Sequence, residues 1–286
     1  MTGARKRTRK KSRPIKSGGK TTATKGTRHI QYIGGRDYQE DRFLHLEIKP
    51  GLEVLMVADG HGGEGCSTYV AANVARILRS HWPESTKVSG AMETCLKRTM
   101  GQIVSEWDQH CAPGHDLDSI KGDAAKHKFF VTHGSVVDES GSTIAMAVVD
   151  RKHNRITSMS LGDSRVAIRC NGRISETVDH AINSQTVLPK TLRGFSLFID
   201  DGRLNGNLAM HSAIGDNCAD LFGVVARKPV IHSEKFIPGK TDILVATDGV
   251  FDDLDSQTLF GHFSAMDALL ETAPKNDNAT IVFTSL

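Results

Sequence analysis

Acidic residues stand beside apolar runs at several points of this 286-residue sequence. Asp59 and Asp248 each end such a run, and Asp277 stands just before the last one. Glu40 and Asp163 lie in turns that flank predicted strands. If these carboxylates gather at one place, they repel one another and resist ionisation unless a cation neutralises them. Hard oxygen ligands, without cysteine or a compact histidine set, favour Mg²⁺ or Mn²⁺ over zinc.

The stretch Asp59-Gly60-His61-Gly62-Gly63 adds an imidazole and a permissive backbone to one of these acids. Glycine allows a sharp turn and lets a ligand approach the backbone closely. Apolar residues at helical spacing follow from Glu64 onward, so the stretch is predicted to connect a strand to a helix, where functional groups are common. Taken alone, it fits a tight turn with an incidental Asp and His equally well.

Hydrophobic periodicity predicts the elements that would position these residues. Strands are predicted over residues 29–34, 43–48, 54–58, 141–150, 155–161, 164–170, 242–247 and 279–284. Helices are predicted from Glu64 onward, over residues 88–110 and around residues 256–272, with a shorter one over 182–192. The segment from Leu161 to Arg165 is typical of a hairpin turn, and Asn171-Gly172 is a second hairpin signal.

Charge divides the chain into a basic tail and a mildly acidic body. Residues 1–28 contain 11 of the 36 Lys and Arg and none of the 33 Asp and Glu, which leaves a net charge of −8 in the remainder. The tail is almost free of large apolar residues and is predicted to be disordered. We expect residues 29–286 to form one folded domain, with a surface insertion at about 111–135 and a loop-rich flap at about 181–240.

Three interpretations of the tail stay open. It can be a nuclear-import signal or an arm that binds a polyanion, an Arg-rich organelle presequence, or a merely solvated segment. The acidic body gives no reason to expect nucleic acid at the folded surface. Five cysteines without paired spacing indicate reduced thiols in an intracellular protein, nuclear or cytoplasmic. The absence of a long apolar run argues against a membrane helix.

Eight short motifs follow one another along residues 29–286. They are Arg36-Asp37-Tyr38-Gln39-Glu40-Asp41, Asp59-Gly60-His61-Gly62-Gly63, Gly141-Ser142-Thr143, Gly162-Asp163-Ser164-Arg165, Asp179-His180, Ala213-Ile214-Gly215-Asp216, Asp248-Gly249-Val250-Phe251-Asp252 and Asp277-Asn278-Ala279-Thr280. In this order they resemble the motifs of the metal-dependent protein serine/threonine phosphatases of type 2C (the PPM family). Each motif is weak alone, but eight in the family's order are a specific signal.

The resemblance implies an α+β fold, a four-layer α-β-β-α sandwich of two mainly antiparallel sheets flanked by helices. It implies a site for two Mg²⁺ or Mn²⁺ ions at one edge of this sandwich. Asp59 would bridge the two ions, and Asp248 with Asp277 would complete the coordination of one of them. Glu40 and the carbonyl oxygen of Gly60 would complete the other.

The resemblance also implies a mechanism. Asp41 would orient a metal-bound water from outside the ligand set, and Asp163 with Asp248 would hold a weaker third ion. A hydroxide bridging the two ions would attack phosphorus directly, because water on divalent ions loses a proton readily. Arg36 would bind the phosphate oxygens, and His61 would protonate the departing Ser or Thr alkoxide. The alternative for His61 is a histidine that only hydrogen-bonds the turn.

The implied function is hydrolysis of phosphoserine and phosphothreonine monoesters in phosphorylated protein substrates, by a monomer without membrane contact. The basic tail would bind an import receptor or a polyanion. The alternative is a catalytically inactive relative that binds phosphoproteins as a scaffold, although no implied ligand is substituted. Two departures from the family pattern concern the flap. No Pro follows Asp179-His180-Ala181, and Ser212 stands where an Arg is expected, which could change flap packing or substrate choice.

Overall fold

The computed structural model describes residues 26–83, 90–112, 114–115, 117–120, 137–182, 199–204, 206–217, 225–273 and 276–286. The helices are α1 (Gly65–Ser80), α2 (Ala91–Cys111), α3 (Asp248–Phe251), α4 (Ser256–Gly261) and α5 (Met266–Thr272). The strands are β1 (Arg28–Tyr32), β2 (Arg42–Lys49), β3 (Leu52–Ala58), β4 (Gly60–His61), β5 (Gly141–Ser142), β6 (Ile144–Asp150), β7 (Arg155–Leu161), β8 (Arg165–Cys170), β9 (Arg173–Glu176), β10 (Ile199–Asp200), β11 (Arg203–Leu204), β12 (Ile214–Gly215), β13 (Val230–Lys235), β14 (Thr241–Ala246) and β15 (Ala279–Ser285).

Two five-stranded antiparallel sheets form the centre of the fold. Sheet I has the strand order β13-β7-β6-β3-β2, and sheet II has the order β1-β15-β14-β8-β9. A three-stranded sheet of order β12-β5-β4 includes the residues directly after Asp59, and β10 pairs with β11 as a hairpin. The antiparallel pairing implied by the resemblance is therefore confirmed.

The side chains of β3 alternate between two apolar layers, as the period of two in a strand requires. Val54 and Met56 pack with the apolar face of α1 and α2, whereas Leu55 and Val57 pack between the two sheets. A third apolar layer joins the outer face of sheet II, including Leu244, to α3, α4 and α5. The order of layers is helix, sheet, sheet, helix, which confirms the four-layer sandwich. Both faces of β3 are covered, which explains its unbroken apolar run.

The two long helices follow the predicted periodicity. The helix predicted after Glu64 is confirmed as α1, and it buries Val70 and Val74 against sheet I. The second helix begins at Ala91, after Gly90 in a left-handed conformation, while residues 84–89 lie outside the described part of the chain. Among the helices of the described ranges, none combines the length and the hydrophobicity that crossing a membrane requires.

The turn after Leu161 is not the predicted hairpin. β7 belongs to sheet I and β8 to sheet II, so the chain crosses between the sheets at Gly162, whose φ is +102°. The predicted strand 141–150 is also two strands, interrupted at Thr143. The two irregular points contact each other, because Thr143 Oγ1 lies 2.7 Å from Ser164 Oγ. Periodicity identifies strands but not their partners, since successive strands do not always pair.

The boundaries of the predicted tail and flap also differ. Thr27 donates a hydrogen bond to Glu53 at 2.7 Å and Arg28 begins β1, so the folded part starts before residue 29. The predicted tail is otherwise outside the described residues, as are the predicted helix 182–192, apart from its first residue, and most of the insertion 111–135. β13 falls within the predicted flap but is an edge strand of sheet I. Its largely exposed residues lack the apolar pattern that predicts strands.

Candidate active site

Three carboxylates meet where the two sheets end. Asp59 follows β3 of sheet I, Asp248 follows β14 of sheet II, and Asp163 lies in the crossing between the sheets. Carboxylate oxygens of these three residues lie within 4.8 Å of one another. The fold thus gathers acids that are distant in the sequence, as the strand-end pattern predicted.

In the described part of the chain, no Lys or Arg contacts this carboxylate cluster closely enough to form an ion pair with it. Within the described ranges, none of Asp59, Asp163 and Asp248 forms an ion pair with Lys or Arg, and one buried oxygen of Asp163 and one of Asp248 lack a hydrogen-bond partner. Burial and the neighbouring carboxylates raise the pKa of Asp163 to about 8 and the pKa of Asp59 well above its usual range. Oxygen donors in this state fit a hard divalent cation such as Mg²⁺ or Mn²⁺.

Asp277 and Arg36 form the outer rim of the cluster. Asp277 lies just before β15, and its charge adds to the effect of burial in raising the pKa of Asp248. Arg36 forms an ion pair with Asp277, and 49% of its side chain is exposed. A half-exposed guanidinium beside the cluster can turn its planar set of donors toward the oxygens of an incoming phosphate.

Glu40 and Gly60 are fixed on the inner side by backbone contacts. Arg42 of β2 pairs with Ala58 of β3, which places Glu40 beside the end of β3. The amide of Gly63 donates to Glu40 Oε1 at 2.8 Å, and Glu40 is buried. A Cβ added to Gly60 would lie 2.7 Å from the Glu40 carbonyl oxygen, so only glycine allows this close approach.

Asp41 lies fully buried beside the ligand candidates. Thr247 Oγ1 donates to Asp41 Oδ2 at 3.0 Å, and the Gln31 amide donates to the Asp41 carbonyl oxygen at 3.1 Å. Burial raises the pKa of Asp41 to about 7. This position, behind Asp59 and Asp248, suits the predicted role of orienting water rather than binding a cation, and that role stays a prediction.

His61 is bonded to an acid that the sequence analysis did not connect with it. His61 Nε2 lies 2.9 Å from Asp216 Oδ1 and 3.1 Å from Oδ2. His61, Gly141 and Gly215 stand in one row of the three-stranded sheet, so the Asp216 side chain reaches His61 across Gly141. Burial lowers the pKa of His61, but Asp216 and other nearby acids outweigh it, and the pKa is raised overall. The imidazole is therefore oriented and its protonated form is stabilised.

A cavity of about 120 Å³ lies over the cluster. Its inner wall contains Arg36, Glu40, Asp59, Gly60, His61, Gly62, Asp248 and Asp277, and its outer wall contains Arg203, Asn207, Leu208, Ala209 and Met210 of the flap. Arg203 is exposed and donates to the Asn207 carbonyl oxygen at 2.9 Å. The cavity has the volume of roughly four water molecules, enough for a phosphate group.

Three residues at or near this site were missed by the sequence analysis as functional candidates: Asp216, Arg203 and Asp252. Partial burial and the charges of Asp248 and Asp277 raise the pKa of Asp252 to about 6. Its position four residues after Asp248, one helical turn away, was an available signal, and the Asp252 amide donates to the Asp248 carbonyl oxygen. Asp216 ends one of the family motifs, but no local pattern connects it with His61, and Arg203 had no local signal.

Comparison with known families agrees with this geometry. Two stacked sheets between helices, with acids at the shared sheet ends, are the architecture that the resemblance of the motifs implies. The family profile of protein phosphatase 2C matches residues 35–266, which include every site residue named above except Asp277. The chain belongs to the protein phosphatase 2C family, and this membership supports a protein serine/threonine phosphatase.

Individual relatives are distant. "Probable protein phosphatase 2C 3" of Paramecium tetraurelia is 25% identical over 256 residues, covering 86% of this chain and 78% of that protein. "Protein phosphatase 1L" of Bos taurus is 25% identical over 271 residues, covering 87% and 69%.

Solved structures share the fold. The serine-threonine phosphatase 2C of Toxoplasma gondii has a TM-score of 0.66 at 18% identity, covering 92% of this chain and 95% of that one. A C. elegans sex determining protein has a TM-score of 0.67 at 21% identity and covers 90% of this chain, which spans 64% of that one. At these identities the likeness shows the fold alone.

Proposed function

We propose that this protein is an active, Mg²⁺- or Mn²⁺-dependent phosphatase that hydrolyses phosphoserine and phosphothreonine monoesters in proteins. The observation that carries the proposal is the approach of Asp59, Asp163 and Asp248 within 4.8 Å, with no neutralising Lys or Arg in ion-pair contact among the described residues. Gathering carboxylates in this way destabilises a folded protein unless a cation is bound. The family supplies the class of reaction.

The residues present fit two divalent ions and a weaker third. The proposed ligands are Asp59, Asp163, Asp248, Asp277, Glu40 and the Gly60 carbonyl oxygen. When bound, the ions supply an activated water and neutralise charge on the phosphate. One buried carboxylate oxygen of Asp163 and one of Asp248 support this assignment, because they have no hydrogen-bond partner in the described structure. Asp41 would orient a water from behind these ligands.

Arg36 and His61 act at opposite ends of the phosphoester in this proposal. Arg36 holds the phosphate oxygens, so Arg36→Ala should weaken phosphate binding more than turnover. His61 Nε2 is held by Asp216, while buried Nδ1 has no hydrogen-bond partner among the described residues. His61 is the residue assigned to protonate the leaving Ser or Thr oxygen, and His61→Ala should slow turnover by roughly 10²- to 10⁴-fold.

Phosphate release from a phosphothreonine peptide tests the proposal. Release is expected with Mn²⁺ or Mg²⁺, and it should stop with EDTA and in the Asp248→Asn variant. Asp267→Asn is a matched control, because Asp267 is an exposed acid that pairs with Arg28. A folded wild-type protein that releases no phosphate at any concentration of either ion would refute the proposal.

The alternative, an inactive relative that binds phosphoproteins as a scaffold, predicts a different result. Such a protein would bind the phosphothreonine peptide without turnover, and Asp248→Asn would not change the affinity. Retention of all the proposed acidic ligands favours the active enzyme.

The basic tail is proposed to direct location in the cell. Its 11 Lys and Arg without an acid fit an import receptor or a polyanion, and the proposed compartment is nuclear or cytoplasmic, with an organelle presequence as the alternative. Deletion of residues 1–25 tests this and spares Thr27 and Arg28, which bond to the folded domain. Turnover should persist while nuclear or polyanion association is lost, and unchanged association would remove this role.

A further inference from the structure

An ion pair between α2 and Arg227 of the flap lies next to Asp216, and Arg227 bonds to the residue on each side of it. Arg227 Nη1 donates to both carboxylate oxygens of Asp108, at 2.8 Å each. Arg227 Nη2 donates to the Gly215 carbonyl oxygen at 2.8 Å and to Asn217 Oδ1 at 2.7 Å. Asp108 is 2% exposed and Asn217 is fully buried, so this bonding lies inside the fold.

The backbone at Asp216 needs such support. Asp216 has a φ of +55° and Gly215 a φ of +83°, so two successive residues adopt the left-handed conformation. For a residue other than glycine this conformation costs free energy, less for Asp than for most residues, and contacts from the surroundings help to maintain it. Arg227 bonds to the residue on each side of the strained position, so the orientation of the Asp216 carboxylate depends on the Arg227 guanidinium.

Because Gly141 has no side chain, the Asp216 carboxylate can contact His61. A Cβ added to Gly141 would lie 2.1 Å from His61 Nε2 and 2.6 Å from Asp216 Oδ1. The bond between the imidazole and the carboxylate therefore passes through the space that a side chain would fill. Bonds run from Asp108 through Arg227 to the two neighbours of Asp216, and the Asp216 carboxylate in turn contacts the imidazole beside the carboxylate cluster.

Arg227 lies next to a residue that pairs with the segment containing Ser212. Ser212, which stands where the family motif has an arginine, pairs with Ala226, the neighbour of Arg227. The amide of Ala213 donates to the Ala226 carbonyl oxygen at 3.2 Å, so the two segments run side by side. Arg227 therefore follows directly after the residue that pairs with Ser212.

We propose that Asp108 and Arg227 are positioning residues for the proton donor His61 and act through Asp216. This inference rests on the proposed function and deepens it. If it holds, loss of the ion pair should hinder departure of an alkoxide, which needs a proton. It should barely affect departure of a stabilised phenolate, which does not.

The test compares two substrates with Mn²⁺ saturating: a phosphothreonine peptide, with an alkoxide leaving group, and p-nitrophenyl phosphate, with a phenolate. Arg227→Gln should lower kcat on the peptide about tenfold, a part of the 10²- to 10⁴-fold range of general acid catalysis, and kcat on p-nitrophenyl phosphate less than about twofold. In the His61→Ala background, Arg227→Gln should cause no further loss on the peptide, because the two residues act as one unit.

Two further variants separate positioning from loss of folding. Asp108→Asn combined with Arg227→Gln leaves no unpaired buried charge and should show the same selective loss. Arg169→Gln breaks a comparable Arg–Asp pair, with Asp242 on sheet II, and should leave the ratio of the two substrates unchanged. Folding of each variant is checked by its thermal unfolding midpoint.

An equal loss on both substrates, or a further tenfold loss in the His61→Ala background, would overturn the inference. The proposed function would then still stand, because Mn²⁺-dependent turnover of the phosphothreonine peptide by the wild type tests it independently. Absence of that wild-type turnover would overturn both.

Discussion

Strand β3 carries an acid near each end, and the fold surrounds the two acids differently. Glu53, near the start, accepts hydrogen bonds from Thr27 and from Arg151 Nη2, each at 2.7 Å. His45 Nε2 lies 2.7 Å from the same carboxylate. Asp59 lies six residues further on, roughly 20 Å along the strand by its rise per residue. It meets two other carboxylates instead.

The comparison shows that burial and residue type do not separate structural acids from functional ones. Glu53 is 1% exposed and has protein donors on both oxygens, so it is complete within the folded chain. Asp59 contacts other carboxylates instead of cationic donors, and in the proposed enzyme a bound cation would supply the positive charge. The partners of a buried acid, rather than the acid itself, indicate whether a position serves stability or chemistry.

The largest effect should come from Asp59→Asn. Turnover of a phosphothreonine peptide is expected to fall at least about a thousandfold, because the ions that activate water lose a shared ligand. In EDTA the thermal unfolding midpoint should rise, because repulsion within the carboxylate cluster decreases. Assays of turnover with Mn²⁺ and of unfolding with EDTA measure both. Unchanged turnover would show that Asp59, like Glu53, is a structural acid, and the proposed difference between the two residues would be wrong.

Addition of Mg²⁺ or Mn²⁺ should stabilise the wild type, by about 2.7 kcal/mol at a free concentration of 100 times Kd. The Glu53→Gln variant should show the same gain, since its changed residue is remote from the cluster, and Asp59→Asn should show much less. Urea unfolding over a metal titration gives the result. A gain that survives Asp59→Asn in full would locate the cation elsewhere.

Glu53→Gln should lower the free energy of unfolding by about 2 kcal/mol, because a buried charge network loses its acceptor. Arg151 is 40% exposed and can turn to water, which limits the loss. Turnover per folded molecule should change less than twofold. Glu47→Gln, at an exposed acid of β2, is the matched control for the urea measurement. If Glu53→Gln strongly lowers turnover and Glu47→Gln does not, Glu53 would be needed for catalysis as well as for stability.

The last prediction concerns pH in the metal-free protein. The pKa of Asp163 is about 8 in the folded state, against about 3.9 for an unfolded Asp. The folded state therefore retains a proton that the unfolded state loses, and its contribution to stability declines as pH rises from 4 through 8. In EDTA, the unfolding midpoint of wild type relative to Asp163→Asn should fall between pH 5 and pH 8. A constant difference would show that Asp163 is compensated as Glu53 is.

Much of the acid cluster could be predicted from the sequence because its signal is local. Asp59 and Asp248 each follow an aliphatic run, and such a run marks a strand covered on both faces. Asp163 lies in the cluster although the hairpin predicted around it is wrong, since the motif marks the residue whichever sheet the next strand joins. Which strands share a sheet depends on contacts between distant segments, and periodicity does not report them.

The surroundings of His61 could not be predicted for the same physical reason. Asp216 and Arg227 lie in or after the flap, where hydrophobic periodicity is weak and short strands are set by long-range pairing. Nothing near Asp216 in the sequence indicates its contact with His61 across Gly141, a contact that depends on the register of three two-residue strands. The exposed Arg203 similarly joins the cavity only through the fold of the flap.

The origin of the three central carboxylates has a mechanical consequence. Asp59 extends from sheet I, Asp248 from sheet II, and Asp163 from the crossing between them. An ion bound by these residues would therefore link the two halves of the sandwich. Sliding of one half against the other would distort the coordination shell before it disturbed either half. A substitution that changes side-chain volume in the layer between the sheets, at Val57 or Val245, would then first weaken the affinity for the cation. The affinity for the cation would therefore report how well the two halves of the sandwich pack against each other.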